Sequence, residues 1–396
     1  MSEQVIAPRI RGFICLTAHP EGCAANVRAQ IETIRQRCPK EGLQRVLVIG
    51  SSTGYGLSSL LTAVFGYGAD AVSICFEREP TERKPGSAGW YNLAEAHAQA
   101  QASGRRLVTI NGDAFSDDVK HKALTAIREL GPIDLVVYSL AAPRRSDART
   151  GETWQSVLKP IGGPFTGKTI DLSKDAVTTA TFEPASEEEI AATVKVMGGD
   201  DWRAWIELLR QQELLAAGCR TVAYSYIGPQ VTHAIYRAGT IGRAKDHLEA
   251  TAQELDAELQ RHCRGHAYVS VNKALVTQAS AAIPVVSLYV SILFRVMKEA
   301  GVHEDCCDQI VRLFTDHLAP GAEPGLDEAG RIRLDDKEMA DAIQEHVADI
   351  WERINTDNLS ELSDYAGFQQ AFRQLFGFDV AGIDYQQPTE TDRPLG

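Results

Sequence analysis

Val46-Leu-Val-Ile49 is an apolar run with no polar interruption, the pattern of a strand buried on both faces of a parallel sheet. Gly50, Gly54 and Gly56 follow it. Leu57, Leu60, Leu61 and Val64 then recur at i, i+3, i+4 and i+7, one face of a helix. A second apolar run, Ala71 to Phe76, ends at Glu77. Strand, glycine turn, helix, strand and acid make up the βαβ unit that holds a dinucleotide.

The same rhythm continues. Leu107 to Ile110, Ile133 to Tyr138, Thr221 to Gly228 and Tyr268 to Val271 read as the third to sixth strands. Between and around them the pattern predicts helices at Asn26 to Arg37, after Gly89, after Ser116, from Asp201 to Ala217, up to about Gln260, and at about 279–299, 303–317 and 335–356. The expected architecture is α/β: a Rossmann-type, doubly wound parallel sheet with helices on both faces. We expect one domain over 1–396, with 1–44 as an extension packed on it and a loose polar tail over 386–396. Residues 144–200 break the rhythm. They are rich in Gly, Pro, Thr and Ser, with hairpin strands expected at Trp154–Ile161 and Thr169–Glu183. Ser186-Glu-Glu-Glu189 is a capping box opening a helix. This insertion, a hairpin plus a helix, is expected over the substrate side of the sheet as a lid or rim.

Composition narrows the class. With 44% hydrophobic and 23% charged residues, a chain of 396 can bury a large core. The net charge of −13 argues against nucleic acid and anionic membrane as partners. The eight cysteines form no CxxC pair, which suits thiols in a reducing, cytoplasmic compartment and gives neither a disulfide framework nor a metal site. The N-terminus shows no signal-peptide pattern. Ala274 to Met297 is the most apolar stretch, but its Ser, Thr and Gln residues and Pro284 favour a buried core helix over a membrane span.

The glycine turn lets main-chain N–H groups approach a pyrophosphate, and the helix after it aims its positive end at that anion. Glu77 can accept from both ribose hydroxyls of NAD and would repel a 2′-phosphate, so NADH is expected over NADPH. Arg78 opposes that inference, since it could reach a phosphate. Asp113, at the end of the third strand, has two readings: an acceptor for the adenine amine, or part of the helix cap at Ser116 and Asp117. The small residues of Ser139-Leu-Ala-Ala142 leave room for the nicotinamide ribose. His19 and Arg9 read by default as packing and surface residues.

Tyr236 and Lys245 are the candidate catalytic pair. A free phenol, with a pKa of about 10, is a poor acid at neutral pH; a nearby ammonium would bring its proton into play and could also hold ribose hydroxyls. Positions nine apart on one helix differ by about 900°, which is opposite faces. Tyr236 is therefore expected in a turn before the helix, with Lys245 in the helix's first two turns and Gly239 or Gly242 breaking it.

From Pro8-Arg-Ile-Arg-Gly-Phe-Ile-Cys15 through Ala18-His-Pro20 and the Gly50–Gly56 loop to the Tyr-x8-Lys pair, the chain resembles the V-type enoyl-acyl-carrier-protein reductases, also described as trans-2-enoyl-CoA reductases. The resemblance covers nearly the whole chain. The wide Tyr-x8-Lys interval is its distinctive mark; ordinary short-chain reductases and other enoyl reductases use shorter ones. It implies NADH contacts at Gly50, Ser51, Ser52, Thr53, Gly54, Tyr55, Phe76, Glu77, Asp113, Ala114, Leu140, Ala141, Lys245, Leu275, Val276 and Thr277. It implies Tyr236 as proton donor, assisted by a substrate contact at Tyr226. The implied reaction is NADH-dependent reduction of enoyl thioesters, carried on acyl-carrier protein or coenzyme A, by a monomeric enzyme of fatty-acid synthesis. Two alternatives stand beside it: a 3-ketoacyl thioester reductase, and an NAD(H)-sensing regulator on a reductase fold.

Overall fold

Seven parallel strands form the central sheet of the computed structural model, which describes residues 3–12, 14–38, 41–147, 150–172, 174–281, 283 and 285–395. They are β1 (Arg45–Ile49), β2 (Asp70–Cys75), β3 (Leu107–Asn111), β4 (Ile133–Tyr138), β5 (Leu215–Ser225), β6 (His266–Val271) and β7 (Arg331–Arg333). Their spatial order is 3-2-1-4-5-6-7. The order reverses between β1 and β4, and the crevice above the carboxyl ends of that pair is where such sheets bind ligands.

The helices are α1 (Pro20–Arg37), α2 (Gly54–Leu61), α3 (Ala88–Ala102), α4 (Asp117–Leu130), α5 (Glu187–Met197), α6 (Asp200–Gln211), α7 (Gln230–His233), α8 (Thr240–Cys263), α9 (Gln278–Ala281), α10 (Val286–Glu299), α11 (Cys306–Leu313), α12 (Asp341–Arg353), α13 (Leu359–Leu362) and α14 (Tyr365–Gln374). Side chains alternate along β1 as a pleated strand requires. Val46 and Val48 join α1, α2, α3 and α11 in one core, and Leu47 and Ile49 join α4, α6 and α8 in another. All four are fully buried, which explains the uninterrupted apolar run. A third core surrounds α10, packed by α12, α14 and residues 274–276. None of the described helices is long and apolar enough to cross a membrane. The expected continuous helix at 279–299 is instead interrupted between α9 and α10, where Val285 has φ +71°; Pro284 lies outside the described residues.

Several expectations need correction. The seventh strand has one apolar residue, Ile332, between two arginines that pair with Asp327, Glu249 and Asp335. A strand this short and charged carries no periodicity. The tail is docked, not loose: Thr389–Glu390 pairs with Glu3–Gln4, and its carbonyls accept from Trp90 Nε1 at Arg393 (2.7 Å) and from Tyr91 Oη at Thr391 (3.0 Å). These partners lie about 300 positions away, beyond any local pattern. His19 is buried and caps α1, its Nδ1 accepting from Gly22 N.

The insertion holds two hairpins: Arg144–Ser146 with Thr153–Gln155, and Phe165–Asp171 with Ala176–Phe182. The expected strand at 169–183 thus spans both arms of the second. The capping box at Ser186 and Glu189 forms as expected. Two of the places that fix the insertion involve Thr240 and Lys168. Thr240, at the start of α8, accepts a backbone bond from Lys159 through its hydroxyl and donates to Val157 O at 2.5 Å. Lys168 Nζ donates to the carbonyls of Trp351, Glu352 and Ile354 at the end of α12, at 2.7 to 3.1 Å, where a cation complements the helix dipole. Lys168→Met is expected to speed limited proteolysis within the second hairpin severalfold, because three charge-assisted bonds are lost. Equal cleavage rates in the two proteins would remove Lys168 as the anchor.

Candidate active site

The Gly50–Gly56 loop leaves β1 at the switch point. Gly50 has φ +84°, and a Cβ there would lie 2.2 Å from the Ser139 carbonyl oxygen. Only glycine lets β1 turn this close to the end of β4. Ser51 Oγ bonds Ser73 Oγ at 2.6 Å and is buried. Thr53 is the N-cap residue of α2 and leaves its side chain out of the cap. Gly54 approaches Thr277, and Tyr55 Oη donates to Lys273 O at 2.7 Å, so the loop is stitched to the segment after β6. Leu275 and Val276 are buried there, and Thr277 exchanges bonds with Ser280. Leu140 packs against Gly50 and begins the Leu140–Ala141 rim at the end of β4.

Glu77 is held in place. Ser52 Oγ donates to its Oε1 and Ser87 Oγ to its Oε2, each at 2.5 Å. Its backbone N–H donates to Asn111 Oδ1 at 2.7 Å, and its carbonyl accepts from Asn111 Nδ2 at 2.9 Å. A Cβ at Gly89 would lie 2.1 Å from Glu77 Oε1, so the opening of α3 must be small there. Arg78 turns away toward the Pro85 carbonyl. Beside Glu77, the Phe76 ring is 78% exposed, a flat apolar face at the end of β2. Asp113 Oδ1 accepts from Phe115 N, while Ser116 caps α4, which favours the turn reading of Asp113 before a ligand binds. The Ala114 carbonyl accepts from Lys120 Nζ at 2.8 Å. Lys120 also pairs at 2.7 Å with Asp201, whose carboxyl burial raises.

The nine-residue interval resolves as the helix geometry required. Tyr236 sits in the turn between α7 and α8, its carbonyl accepting from Gly239 N and Gly242 N. Gly239 is the N-cap residue of α8; Gly242 lies inside the helix, so the break falls at the first glycine alone. Lys245 is in the second turn. Its Nζ donates to the Tyr224 carbonyl at 2.9 Å, at the end of β5. Burial pulls the ammonium down to about 8, with Glu249 opposing.

The phenol departs from expectation. Burial pushes Tyr236 up, with no counter-effect from a cation. The group is therefore held protonated, as a neutral donor and not a phenolate. The Tyr226 ring meets it edge-on, with centroids 5.0 Å apart and planes at 72°. Tyr226 Oη donates to Glu338 at 3.1 Å. Of the two phenols, only Tyr236 keeps its proton without a partner among the described residues. The Tyr226 proton is already engaged by Glu338.

Ser87, Asn111, Gly89, Lys120–Asp201 and Glu338 were missed in the sequence, as was the bond from Ser52, expected only as a cofactor contact, to Glu77. Asn111, one position past the third apolar run, was the single one with a local signal.

The fit to a dinucleotide is good. Free backbone N–H groups at the start of α2, an acid with both oxygens aimed, an exposed aromatic face and a buried ammonium surround the switch point. Three family models match the chain: the NAD(P)H binding domain of trans-2-enoyl-CoA reductase over residues 5–82, the trans-2-enoyl-CoA reductase catalytic region over 84–319, and an enoyl reductase FAD binding domain over 326–389. An enoyl-[acyl-carrier-protein] reductase [NADH] of Flavobacterium johnsoniae is 52% identical over 386 residues, covering 97% of both chains. One of Pseudoalteromonas atlantica is 51% identical, covering 98% of both. The crystal structure of Treponema denticola trans-2-enoyl-CoA reductase in complex with NAD superposes with a TM-score of 0.93 at 47% identity, covering 98% of each chain. A flavin does not fit residues 326–389. Their buried side chains, Ile343, Val347, Ile350, Phe368 and Phe372 among them, are taken up in the core around α10, and the segment has no strand–glycine–helix turn for a pyrophosphate.

Proposed function

The chain belongs to the trans-2-enoyl-CoA reductase family, and on that premise we propose that its crevice reduces the trans-2 double bond of enoyl thioesters with NADH through Tyr236 and Lys245. The observation that carries this reading is a neutral phenol, unpartnered among the described residues and held on the turn before α8, while an ammonium from that helix reaches the end of β5.

Residues Gly50 to Tyr55 and the start of α2 hold the pyrophosphate. Glu77 accepts from the adenosine ribose hydroxyls, through oxygens that Ser52 and Ser87 aim. Phe76 and the Asp113–Ala114 turn would flank the adenine. Leu140, Ala141 and Leu275 to Thr277 would border the nicotinamide end, and Lys245 would hold its ribose. NADH, when bound there, would supply hydride for C3 of the enoyl thioester. Charge then develops on the thioester oxygen, and Tyr236 donates its proton or a hydrogen bond there. Stabilising that charge only as it forms is what lowers the barrier. C2 is protonated afterwards. The second hairpin of the insertion walls the acyl side: its Ile170 is buried in the same apolar cluster against which Tyr226 packs. The thioester carrier is acyl-carrier protein or coenzyme A.

Two assays test this. NADH consumption with a short trans-2-enoyl-CoA is expected to be rapid, and with acetoacetyl-CoA negligible. The reverse order would assign a ketoreductase. NADH binding without consumption of either would assign a sensor. Glu77→Ala is expected to narrow the preference for NADH over NADPH by about tenfold, since a like charge facing the 2′-phosphate is removed (about 1.4 kcal/mol). An unchanged ratio of the two dissociation constants would rule out the ribose role.

A further inference from the structure

Glu338 lies just before α12, and its carboxylate is completely buried. A carboxylate taken from water is costly unless donors satisfy it. Here three do. Tyr289 Oη donates at 2.7 Å and Tyr226 Oη at 3.1 Å, both to Oε1; Ala274 N donates to Oε2 at 2.7 Å. Gln344 locks the group from behind, donating to Tyr289 Oη at 3.1 Å and to the Glu338 carbonyl at 2.6 Å. Burial pushes the Glu338 carboxyl up, opposed first by the buried Lys273 ammonium, which lies over the Phe294 ring and donates to the Ala274 carbonyl.

These bonds run to two places that matter. Tyr226 is the ring that packs edge-on against Tyr236. Ala274 opens the segment that reaches Thr277, which touches the glycine loop. One carboxylate therefore ties the wall behind the phenol to the loop beside the dinucleotide. It also fixes where the Tyr226 proton points. A core that needed only filling would be served as well or better by apolar residues of the same volume.

We propose that Glu338 is a positioning residue for the reduction, holding Tyr226 against Tyr236 and leaving Tyr236, of these two phenols, free to donate. This rests on the reading of Tyr226 and Tyr236 as the groups that face the substrate.

The test is a double-mutant cycle on the full chain with Tyr226→Phe, Glu338→Gln and the double variant, reading kcat and KM for a short trans-2-enoyl-CoA and the Kd for NADH. Glu338→Gln is expected to lower kcat about tenfold or more, with the NADH Kd changed less than about threefold. A Gln keeps the volume but sets an amide donor against either the phenols or the Ala274 N–H. Tyr226→Phe is expected to lower kcat to a similar degree, and the double variant no further than the lower single. Losses that multiply would overturn the positioning role while leaving the substrate-facing tyrosines in place. Full kcat in Tyr226→Phe would overturn both. If Glu338→Gln does not fold, Glu338→Met gives the same cycle with an apolar isostere and the same two deciding outcomes.

Discussion

Tyr236→Phe is expected to lower kcat by about 10²-fold or more, the usual loss when a positioned acid is removed, with the Kd for NADH nearly unchanged. The substitution deletes one oxygen. The ring still fills the turn before α8 and still receives the Tyr226 edge, so the fold and the dinucleotide loop are untouched. Because burial pushes this phenol up, away from neutrality, its contribution is a proton that is present at neutral pH. The remaining phenol cannot substitute, since its own proton goes to Glu338. Stopped-flow measurement of NADH oxidation separates this chemical step from binding. Wild-type turnover in the variant would take Tyr236 out of the reaction.

Lys245→Met is expected to weaken NADH binding by about tenfold or more and to lower kcat as well, because a charge-assisted bond in a buried site contributes about 1.5–3 kcal/mol. The pH dependence follows from the direction of its shift. Burial brings Lys245 down to about 8, so the ammonium is present below that pH and lost above it. Binding of NADH to the wild-type enzyme should therefore weaken as pH rises through about 8, and the curve for Lys245→Met should be flat there. Lys273 is also drawn down to about 8 by burial, with Glu338 opposing, but its Nζ is directed at the Ala274 carbonyl. Lys273→Met should keep the alkaline fall. Persistence of that fall in Lys245→Met would reassign it.

The two carboxylates of the crevice show how far a sequence can be read. The place of Glu77 was legible because it is carried by neighbours along the chain: an apolar strand before it and a glycine turn one helix upstream. What aims it was not. Ser52, Ser87 and Asn111 come from three separate segments, and nothing local marks a serine that will meet a carboxylate. Glu338 was not legible at all. Asp335-Asp-Lys-Glu338 falls at the opening of the helix expected at about 335–356, with nothing to mark an acid for burial, yet Glu338 and Asp335 are both fully buried. The same holds for Lys120 and Asp201, each a surface-type residue on an amphipathic helix that meets its partner only when α4 and α6 pack on one face of the sheet.

The sequence by itself determined the elements whose physics is local: the βα turn, the strands of unbroken apolar residues, and a phenol that helix geometry forbids from sharing a continuous helix with its lysine nine positions on. Tertiary structure alone decided the state of that phenol, the docking of the tail, the anchoring of the insertion, and the donor set around Glu338. Each of these depends on which distant groups share a buried space, because burial and hydrogen-bond partners, not residue type, set whether a proton stays and where it points.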